Sequence, residues 1–481
     1  MHQPPRFPAQ PRREPRFLRR LCIVLFLLAG CGKADSVQRL VLISPHRDEI
    51  REEVALGFAE WHAERARQRG ETAAPVQCIW QDVGGGTSQI ARYVRAQYQL
   101  NPTGVGIDLL FGGGTDIYVR FAEEGLLQPL DLPPALLQDR IRPDLDGVPL
   151  YDPKGRWFGA VLSSFGILCN KEVLRRIGHP AVPQSWDDLG DMQLRSWVGA
   201  GDPRQAGSVH MVYEIILQGE GWDRGFPRLL RLGANTHSFI RDSGTLTRVV
   251  VTGDVAAAGN VDVNALPAVS RHPDVMAFIL PVGKREVLPD GKVRQTGGTI
   301  INPDAVAVLK GAPNPELARA FVEYLLSDAG QKLFFLRPGL PGGPRRHALC
   351  RLSIVEALYK QIPPADRSTG EANPFAQTDT LQYNAKLGQS RWDALNDLIG
   401  AVIVDAHDDL ARAWAAIAAL SDAERKPLES KLFALPCTEA ELAAHARRIV
   451  EDSPRARAAQ VNQWGEEARQ RYRQVRREAQ R

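Results

Sequence analysis

The sequence predicts an α/β protein made of two lobes, and two features of it lead to this prediction. Between residues 40 and 121, a short apolar strand, a loop rich in glycine or hydroxyl residues and a helix follow one another three times. Two long apolar extended runs, at residues 157–170 and 297–308, lie far apart in the chain. The repeats favour a parallel sheet, and the two runs could carry the chain into a second lobe and back.

The three repeats form the first predicted lobe. Their strands are predicted at residues 40–43, 76–80 and 107–111, each followed by a helix with apolar residues on one face. The middle of the chain, up to about residue 295, has strands, helices and glycine breaks of its own and is predicted to form the second lobe. After the second extended run, Asn314 and Pro315 predict the start of a further helix.

The last part of the chain is predicted to be mainly helical. Apolar residues recur at helical spacing between residues 391 and 420, and a capping-box pattern at residues 421–424 predicts a new helix. The charged, alanine-rich segment 439–481 predicts one or two exposed helices. We expect no particular function from this region.

The N-terminus predicts export. Six arginines precede a short apolar core that begins at Leu21, and this core is too short to cross a bilayer. Residues 28–31 read Leu-Ala-Gly-Cys, which resembles the lipobox of bacterial lipoproteins, so Cys31 is the expected lipidation site and membrane anchor. The alternative is an ordinary signal peptide with a chance cysteine. The boundaries predicted for the chain are a signal peptide at 1–30, a lipidated linker at 31–38, lobe one at 39–160 plus 297–345, lobe two at 161–296 and the helical region at 346–481.

Charge and cysteine content exclude some classes of function. The chain carries +4, but the predicted signal contributes +5 from six arginines and one glutamate, which leaves about −1 for the rest. The basic balance is therefore no indication of nucleic-acid binding. Cys78, Cys169, Cys350 and Cys437 are widely spaced and spell no zinc site, and a disulfide between the last two is left open.

Several segments together resemble the extracellular solute-binding proteins of ABC importers, in the branch that includes ferric-iron binders. The resemblance covers about residues 38–345 and is carried, in the order of the family, by residues 107–114, 166–171, 183–189, 251–257 and 305–331. It implies a periplasmic-binding-protein-like fold of type II, with two α/β lobes joined by crossing strands. It also implies a periplasmic or extracytoplasmic location, a small-molecule solute, a partner permease with its ATPase, and no catalysis.

Loops that follow the strands are the expected binding site. Ligands of open α/β sheets lie beyond the carboxyl ends of the strands, where helix N-termini offer unpaired N–H groups. Glycines allow close approach and hydroxyls add donors, which suits a phosphate or carboxylate. From these loops we expect binding by Gly86, Thr87, Ser88 and Thr115, although the three hydroxyl residues could instead cap their own helices.

The resemblance adds further candidates by position. In lobe one it implies the loop that contains Ser44 and His46, together with Gly113 and Gly114. In lobe two it implies Gly207, Ser208, Asp242, Ser243 and Asp262; Asp262 could equally cap a turn.

Iron and catalysis are not favoured by the sequence. The iron binders of the family use tandem tyrosines, whereas no Tyr-Tyr pair occurs here and the matching stretch reads Asp262-Val263-Asn264. No P-loop or GxSxG elbow is present. The sequence therefore predicts capture of a small anionic solute without a cofactor, metal or nucleic acid. A ligand-sensing lipoprotein on the same fold and an exported hydrolase are the alternatives.

Overall fold

The computed structural model describes residues 37–179, 181–287, 293–376, 380–451 and 453–481. The predicted signal peptide and Cys31 lie outside these residues. Fifteen strands occur in the described part: β1 (Gln38–Ile43), β2 (Val76–Gln81), β3 (Leu109–Phe111), β4 (Leu127–Gln128), β5 (Asp144–Leu145), β6 (Val148–Pro149), β7 (Phe158–Asn170), β8 (Val198–Gly201), β9 (Thr236–Ile240), β10 (Ala257–Val261), β11 (Met276–Ile279), β12 (Gly283–Val287), β13 (Val293–Gly297), β14 (Ile301–Leu309) and β15 (Leu352–Ser353).

The described part also contains sixteen α-helices. They are α1 (Asp48–Gln68), α2 (Thr87–Leu100), α3 (Thr115–Glu123), α4 (Lys171–Arg176), α5 (Gly207–Glu220), α6 (Trp222–Asn235), α7 (Ser243–Thr252), α8 (Asp262–Arg271), α9 (Pro315–Leu326), α10 (Asp328–Phe335), α11 (Leu358–Gln361), α12 (Ala385–Ile399), α13 (His407–Ala418), α14 (Asp422–Leu432), α15 (Glu439–Glu451) and α16 (Pro454–Ala479).

The three predicted strand–loop–helix repeats form the core of the first lobe. Strands β2, β1 and β3 lie side by side and parallel, and β14 adds to β3 in the antiparallel sense. The third strand begins at Leu109, two residues later than predicted. Asp108, which was predicted inside the strand, directly precedes it. Its fully buried carboxylate accepts the backbone N–H of Val41 at 2.8 Å and that of Asn314 at 2.5 Å.

One long strand connects the two lobes. All thirteen residues of β7 are buried, as expected for a strand that is covered on both faces. Its residues 158–164 pair with β14 of the first lobe, and its residues 165–170 pair with β10 and β11 of the second. The sheet then continues through β8 to β9. The predicted crossing strands thus run where the two lobes join.

The C-terminal helices pack against the second lobe. Trp392 and Leu395 of α12, Trp414 of α13 and Tyr472 of α16 share one apolar core with α5 and α6. Arg391 of α12 forms a buried ion pair with Glu214 of α5 at 2.9 Å. The segment 439–481 forms two helices, but Tyr472 is fully buried, so the region is less exposed than its charge pattern predicts. No helix among the described residues has both the length and the apolar character needed to cross a bilayer.

Candidate functional site

A cleft of about 470 Å³ lies between the two lobes. This volume is within the range of small-molecule sites. Residues from α1, α2 and α3 line it on the first-lobe side, and residues from α5, α7 and α8 line it on the second-lobe side. The crossing strands β7 and β14 contribute Ser163, Phe165 and Asp304.

Helix N-termini dominate the walls of this cleft. The residues that precede six helices all line it: Arg47, Gly86, Gly114, Ala206, Asp242 and Val261. At five of these starts no side chain caps the helix; the exception is Asp242, whose carboxylate accepts the N–H of Thr245 at 2.7 Å. Uncapped first turns leave backbone N–H donors and a positive dipole end available to an anion.

The uncapped starts of α2 and α3 follow from the residues at those positions in the sequence. Gly86 and Gly114 are the residues before α2 and α3, so Thr87 and Thr115 are the first helical residues and neither caps its own helix. The side chain of Thr115 instead contacts the Asn302 amide oxygen at 3.5 Å. The capping alternative raised from the sequence is therefore not the arrangement in the structure.

Two glycines after β3 are required by their surroundings. Gly112 and Gly113 have φ of +100° and +89°, which side chains rarely adopt. A Cβ at Gly112 would also lie 2.5 Å from the imidazole of His46, and one at Gly113 would lie 2.7 Å from Oγ1 of Thr87. The backbone of this loop thus approaches both the His46 loop and the start of α2, which brings their residues to one wall.

His46 is held from both sides of its ring. Its Nδ1 lies 3.1 Å from Oγ of Ser44, and its Nε2 lies 3.2 Å from a carboxylate oxygen of Asp304. The N–H of Gly113 donates to the other Asp304 oxygen at 2.9 Å. Burial lowers the pKa of His46, although the nearby Asp304 opposes this shift.

A buried cluster of charges lies behind this wall, and we call it the hinge cluster: His46, Asp262, Asp304 and Arg351. The Arg351 side chain is fully buried, pairs with Asp262 at 3.4 Å, donates to Ser163 at 2.7 Å and pairs closely with Asp304. Burial raises the pKa of Asp304, but the Arg351 guanidinium, His46 and the N–H of Gly113 together outweigh this and keep the pKa well below its usual range. Burial raises the pKa of Asp262 to about 6 despite the same guanidinium.

Hydroxyl and amide groups line the second-lobe wall. Ser208 Oγ donates to Ser243 Oγ at 3.1 Å, and the Asn264 amide donates to the same oxygen at 2.9 Å. These three residues come from the starts of α5, α7 and α8. We call this wall, together with Thr87 at the start of α2, the donor wall.

Charged side chains of both signs line the rest of the cleft. The cationic residues that line it are Arg47, Arg51, Arg120 and Arg241. Arg241 is exposed and forms no ion pair within the described part of the chain. Asp116 of α3 also lines the cleft, and its burial raises its pKa to about 7 although Arg120 opposes the shift.

The lobes contact each other directly around the cleft. Gln89 of α2 donates to Gln205 at 3.0 Å. Arg92 of α2 donates to the Arg204 carbonyl at 3.0 Å. Arg47 donates to the Val263 carbonyl at 3.0 Å. The structure therefore describes a closed arrangement of the two lobes.

The structure brings ten of the thirteen candidate ligand residues to the cleft: His46, Gly86, Thr87, Ser88, Gly113, Gly114, Gly207, Ser208, Asp242 and Ser243. The other three do not line it. Ser44 contacts the ring of His46 from behind, and Thr115 faces Asn302. The Asp262 carboxylate is occupied by the N–H and hydroxyl of Ser164 and by Arg351.

Other cleft residues were missed from the sequence. Arg47 and Arg51 lie one and five residues after His46, so the helix after the first strand could have suggested them. Arg241 directly precedes the predicted Asp242. Trp392, which lines the cleft, and Arg351, which lies behind its wall, are in segments that do not resemble the family closely, and no local signal indicates them.

The part of the chain that the structure describes holds neither a candidate metal site nor a disulfide. No group of three or more His, Cys, Asp or Glu side chains that could hold a metal ion occurs in the ranges the structure describes. The cysteines in those ranges, Cys78, Cys169, Cys350 and Cys437, are free thiols, so the disulfide left open between the last two is not formed.

Comparison with known proteins agrees with this fold and cleft. The family of bacterial extracellular solute-binding proteins matches residues 105–342, from the third strand of lobe one through lobe two and back. The predicted resemblance is therefore confirmed over these residues. Solute-binding proteins of this family act outside the cytoplasm, and they bind small solutes and work with ABC permeases.

A curated relative is the phosphoglycerate transport regulatory protein PgtC of Salmonella typhimurium. It is 26% identical over 230 residues, which are 47% of this chain and 51% of PgtC. The alignment thus spans about half the length of the relative.

Solved structures confirm the two-lobed α/β fold. The periplasmic binding protein P5PA superposes with a TM-score of 0.58 at 21% identity, over 76% of this chain and 99% of P5PA. AfuA from Actinobacillus pleuropneumoniae, with fructose-6-phosphate bound, gives 0.56 at 19% identity over 76% and 99%. Iron-bound HitA from Pseudomonas aeruginosa gives 0.53 at 18% identity over the same shares.

Proposed function

We propose that the chain captures a small anionic solute, a phosphorylated or carboxylated organic molecule, as the extracytoplasmic binding component of an ABC importer. The observation that carries this proposal is the convergence of five uncapped helix starts on one closed cleft. Their N–H groups, the donor wall and Arg241 together suit an anion far better than a cation or a neutral solute.

The comparisons support the phosphorylated class in particular. AfuA holds a sugar phosphate, and the name of PgtC refers to phosphoglycerate transport. Tyrosinate-bound iron has less support, because Asp262 at the matching stretch is fully buried and already paired with Arg351. Closure of the lobes on the solute would present one surface to a permease.

The test is native mass spectrometry of the protein starting at Gly32, followed by denaturation to release any co-purified molecule. We expect one small anion per chain. Added phosphorylated sugars or carboxylates should also raise the melting temperature, because a ligand at a hundred times its Kd stabilises by about 2.7 kcal/mol. Stabilisation by neutral sugars or cations, with none from anions, would contradict the proposal.

Membrane attachment through a lipid on Cys31 is part of the proposal. It is supported by the basic, apolar and small-residue order of residues 1–31. Mass spectrometry of the full-length protein made in bacteria should show a diacylglyceryl group on Cys31 and none in Cys31→Ser. A Cys31→Ser protein that still fractionates with membranes would contradict the anchor.

A sensing role on the same fold is the second candidate. It is favoured by one observation, the description of PgtC as a regulatory protein. Pull-down with the solute-loaded protein separates the two roles, since an importer component should retain a permease and a sensor should retain a membrane receptor kinase.

A further inference from the structure

One cleft residue lies beyond the C-terminal end of the segment that matches the solute-binding family. Trp392 on α12 lines the cleft, and it follows all the other lining residues in the chain by more than eighty positions. Its side chain is only 7% exposed, so one edge of the indole reaches the cleft while the rest is packed. The C-terminal helices therefore contribute directly to the site.

The second lobe fixes this indole in place. The His210 ring stacks on it with centroids 3.6 Å apart and an interplanar angle of 26°. His210 in turn bonds to the Asn396 amide oxygen at 2.7 Å through Nδ1. The indole edge also contacts the first residue of α5, since a Cβ at Gly207 would lie 3.6 Å from Cζ2 of Trp392. The indole thus stands beside the donor wall.

The first lobe contacts the same two residues of α12. The Arg120 guanidinium of α3 lies 5.5 Å from the centre of the Trp392 ring, and it donates to the neighbouring Asp393 at 2.9 Å. A cation over an indole and a short ion pair both favour the closed approach of α3 to α12. Trp392 therefore lies between Arg120 of α3 and His210 of α5, at the wall of the cleft.

We infer that Trp392 is a specificity-determining residue, the end wall that limits the length of the anionic solute which the closed cleft can hold. This inference rests on the proposed function, since it concerns the same cleft. A smaller side chain at this position would extend the cleft beside the donor wall and leave the side chains of the donor wall in place.

The test compares Trp392→Ala with Trp464→Ala, which removes an indole of similar burial that packs on His445 outside the cleft. The probes are inorganic phosphate, fructose 6-phosphate and fructose 1,6-bisphosphate, titrated by calorimetry. We expect Trp392→Ala to improve binding of the bisphosphate relative to phosphate at least tenfold, and Trp464→Ala to leave this ratio unchanged. An equal change for all three probes in Trp392→Ala would overturn the inference.

A second measurement needs no ligand. Hydrogen exchange of the amides of α3 should be faster in Trp392→Ala than in the wild type and in Trp464→Ala, because Arg120 loses its aromatic partner. If the exchange rates of the α3 amides are the same in Trp392→Ala and the wild type, Trp392 does not hold α3 in place and the inference is wrong. If no probe binds any variant, the proposed anion binding fails, and the exchange result alone decides whether Trp392 closes the cleft.

Discussion

The hinge cluster and the donor wall face the same cleft but differ in how their polar groups are used. In the hinge cluster, Arg351 is shared by Asp262 and Asp304, and His46 completes the network, so its charges compensate one another. At the donor wall, the first turns of α2 and α5 have no side-chain caps, and Arg241, which also lines the cleft, has no ion pair among the described residues. The comparison suggests that the first region stabilises the fold, while the second is left open for a ligand.

The largest effect is expected from breaking the hinge cluster. Arg351→Met keeps an unbranched apolar stem but leaves two buried carboxylates without their cation. We expect the free energy of unfolding to fall by about 3–5 kcal/mol, the usual cost of removing one partner of a buried pair. Urea denaturation followed by tryptophan fluorescence measures it. A loss below about 1 kcal/mol would show that the cluster does not stabilise the fold as described.

A charge added at the donor wall should lower the affinity for the ligand and leave the stability nearly unchanged. Ser208→Asp places a carboxylate at the start of α5, where it would repel an anion and satisfy the open N–H groups itself. We expect the affinity for the anion identified by mass spectrometry to fall by about 10- to 100-fold, which corresponds to roughly 1.4–2.8 kcal/mol. Calorimetry measures the affinity.

The matched control is Ser430→Asp on the exposed face of α14, which adds the same charge away from the cleft. It should leave the affinity unchanged, and both variants should melt close to the wild type. If Ser208→Asp loses as much stability as Arg351→Met, the division between the two regions does not hold.

The stability of the protein is also expected to depend on pH, because Asp116 lines the cleft and is buried. The pKa of Asp116, raised by burial to about 7, means that the folded protein holds a proton which the unfolded chain releases near pH 4. Stability is therefore expected to fall, by about 2–4 kcal/mol, as the pH rises from about 4 to about 7.

Asp262, with a pKa of about 6, adds a smaller slope of the same sign. Asp116→Asn should remove most of the dependence, which denaturation curves at several pH values would show. An unchanged slope in this variant would mean that Asp116 is ionised in the folded protein.

The smallest effect is expected when the protein is treated with a reducing agent. Burial raises the pKa of Cys78, Cys169 and Cys437 to about 12, so these thiols should react slowly with a thiol reagent in the native protein. Dithiothreitol should move the melting temperature of the protein starting at Gly32 by less than about 1 °C. A larger shift of the melting temperature would indicate a disulfide that stabilises the hinge cluster or the donor wall.

The local part of this architecture could be predicted from the sequence. The strand–loop–helix repeats and the two crossing strands have clear patterns of apolar residues, and each donor-wall residue lies in the first turn of a helix. The hinge cluster could not be predicted in the same way, because Asp262, Asp304 and Arg351 are brought together only by the fold. For the same reason Asp262 was expected in the cleft, although its carboxylate is used inside the hinge cluster.

The positions of the lobe boundaries and the roles of the individual cleft residues remain predictions of the sequence and proposals from the structure. The C-terminal region shows the limit most clearly, since its helices were expected but not their contribution to the cleft. Trp392 has the same helical spacing as its core neighbours, and spacing alone does not distinguish a core residue from a wall of the site.

The path of the chain through β7 and β14 also sets the order in which the protein can fold. The first-lobe sheet needs β14 beside β3, and β14 follows every strand of the second lobe in the chain. A chain that emerges from its N-terminus can therefore complete the second-lobe strands before the first-lobe sheet closes. Pairing strands almost two hundred residues apart is slow. Until residue 309 has emerged, the edge of β3 that receives β14 stays unpaired, which makes this stage the one most exposed to aggregation and most dependent on chaperones.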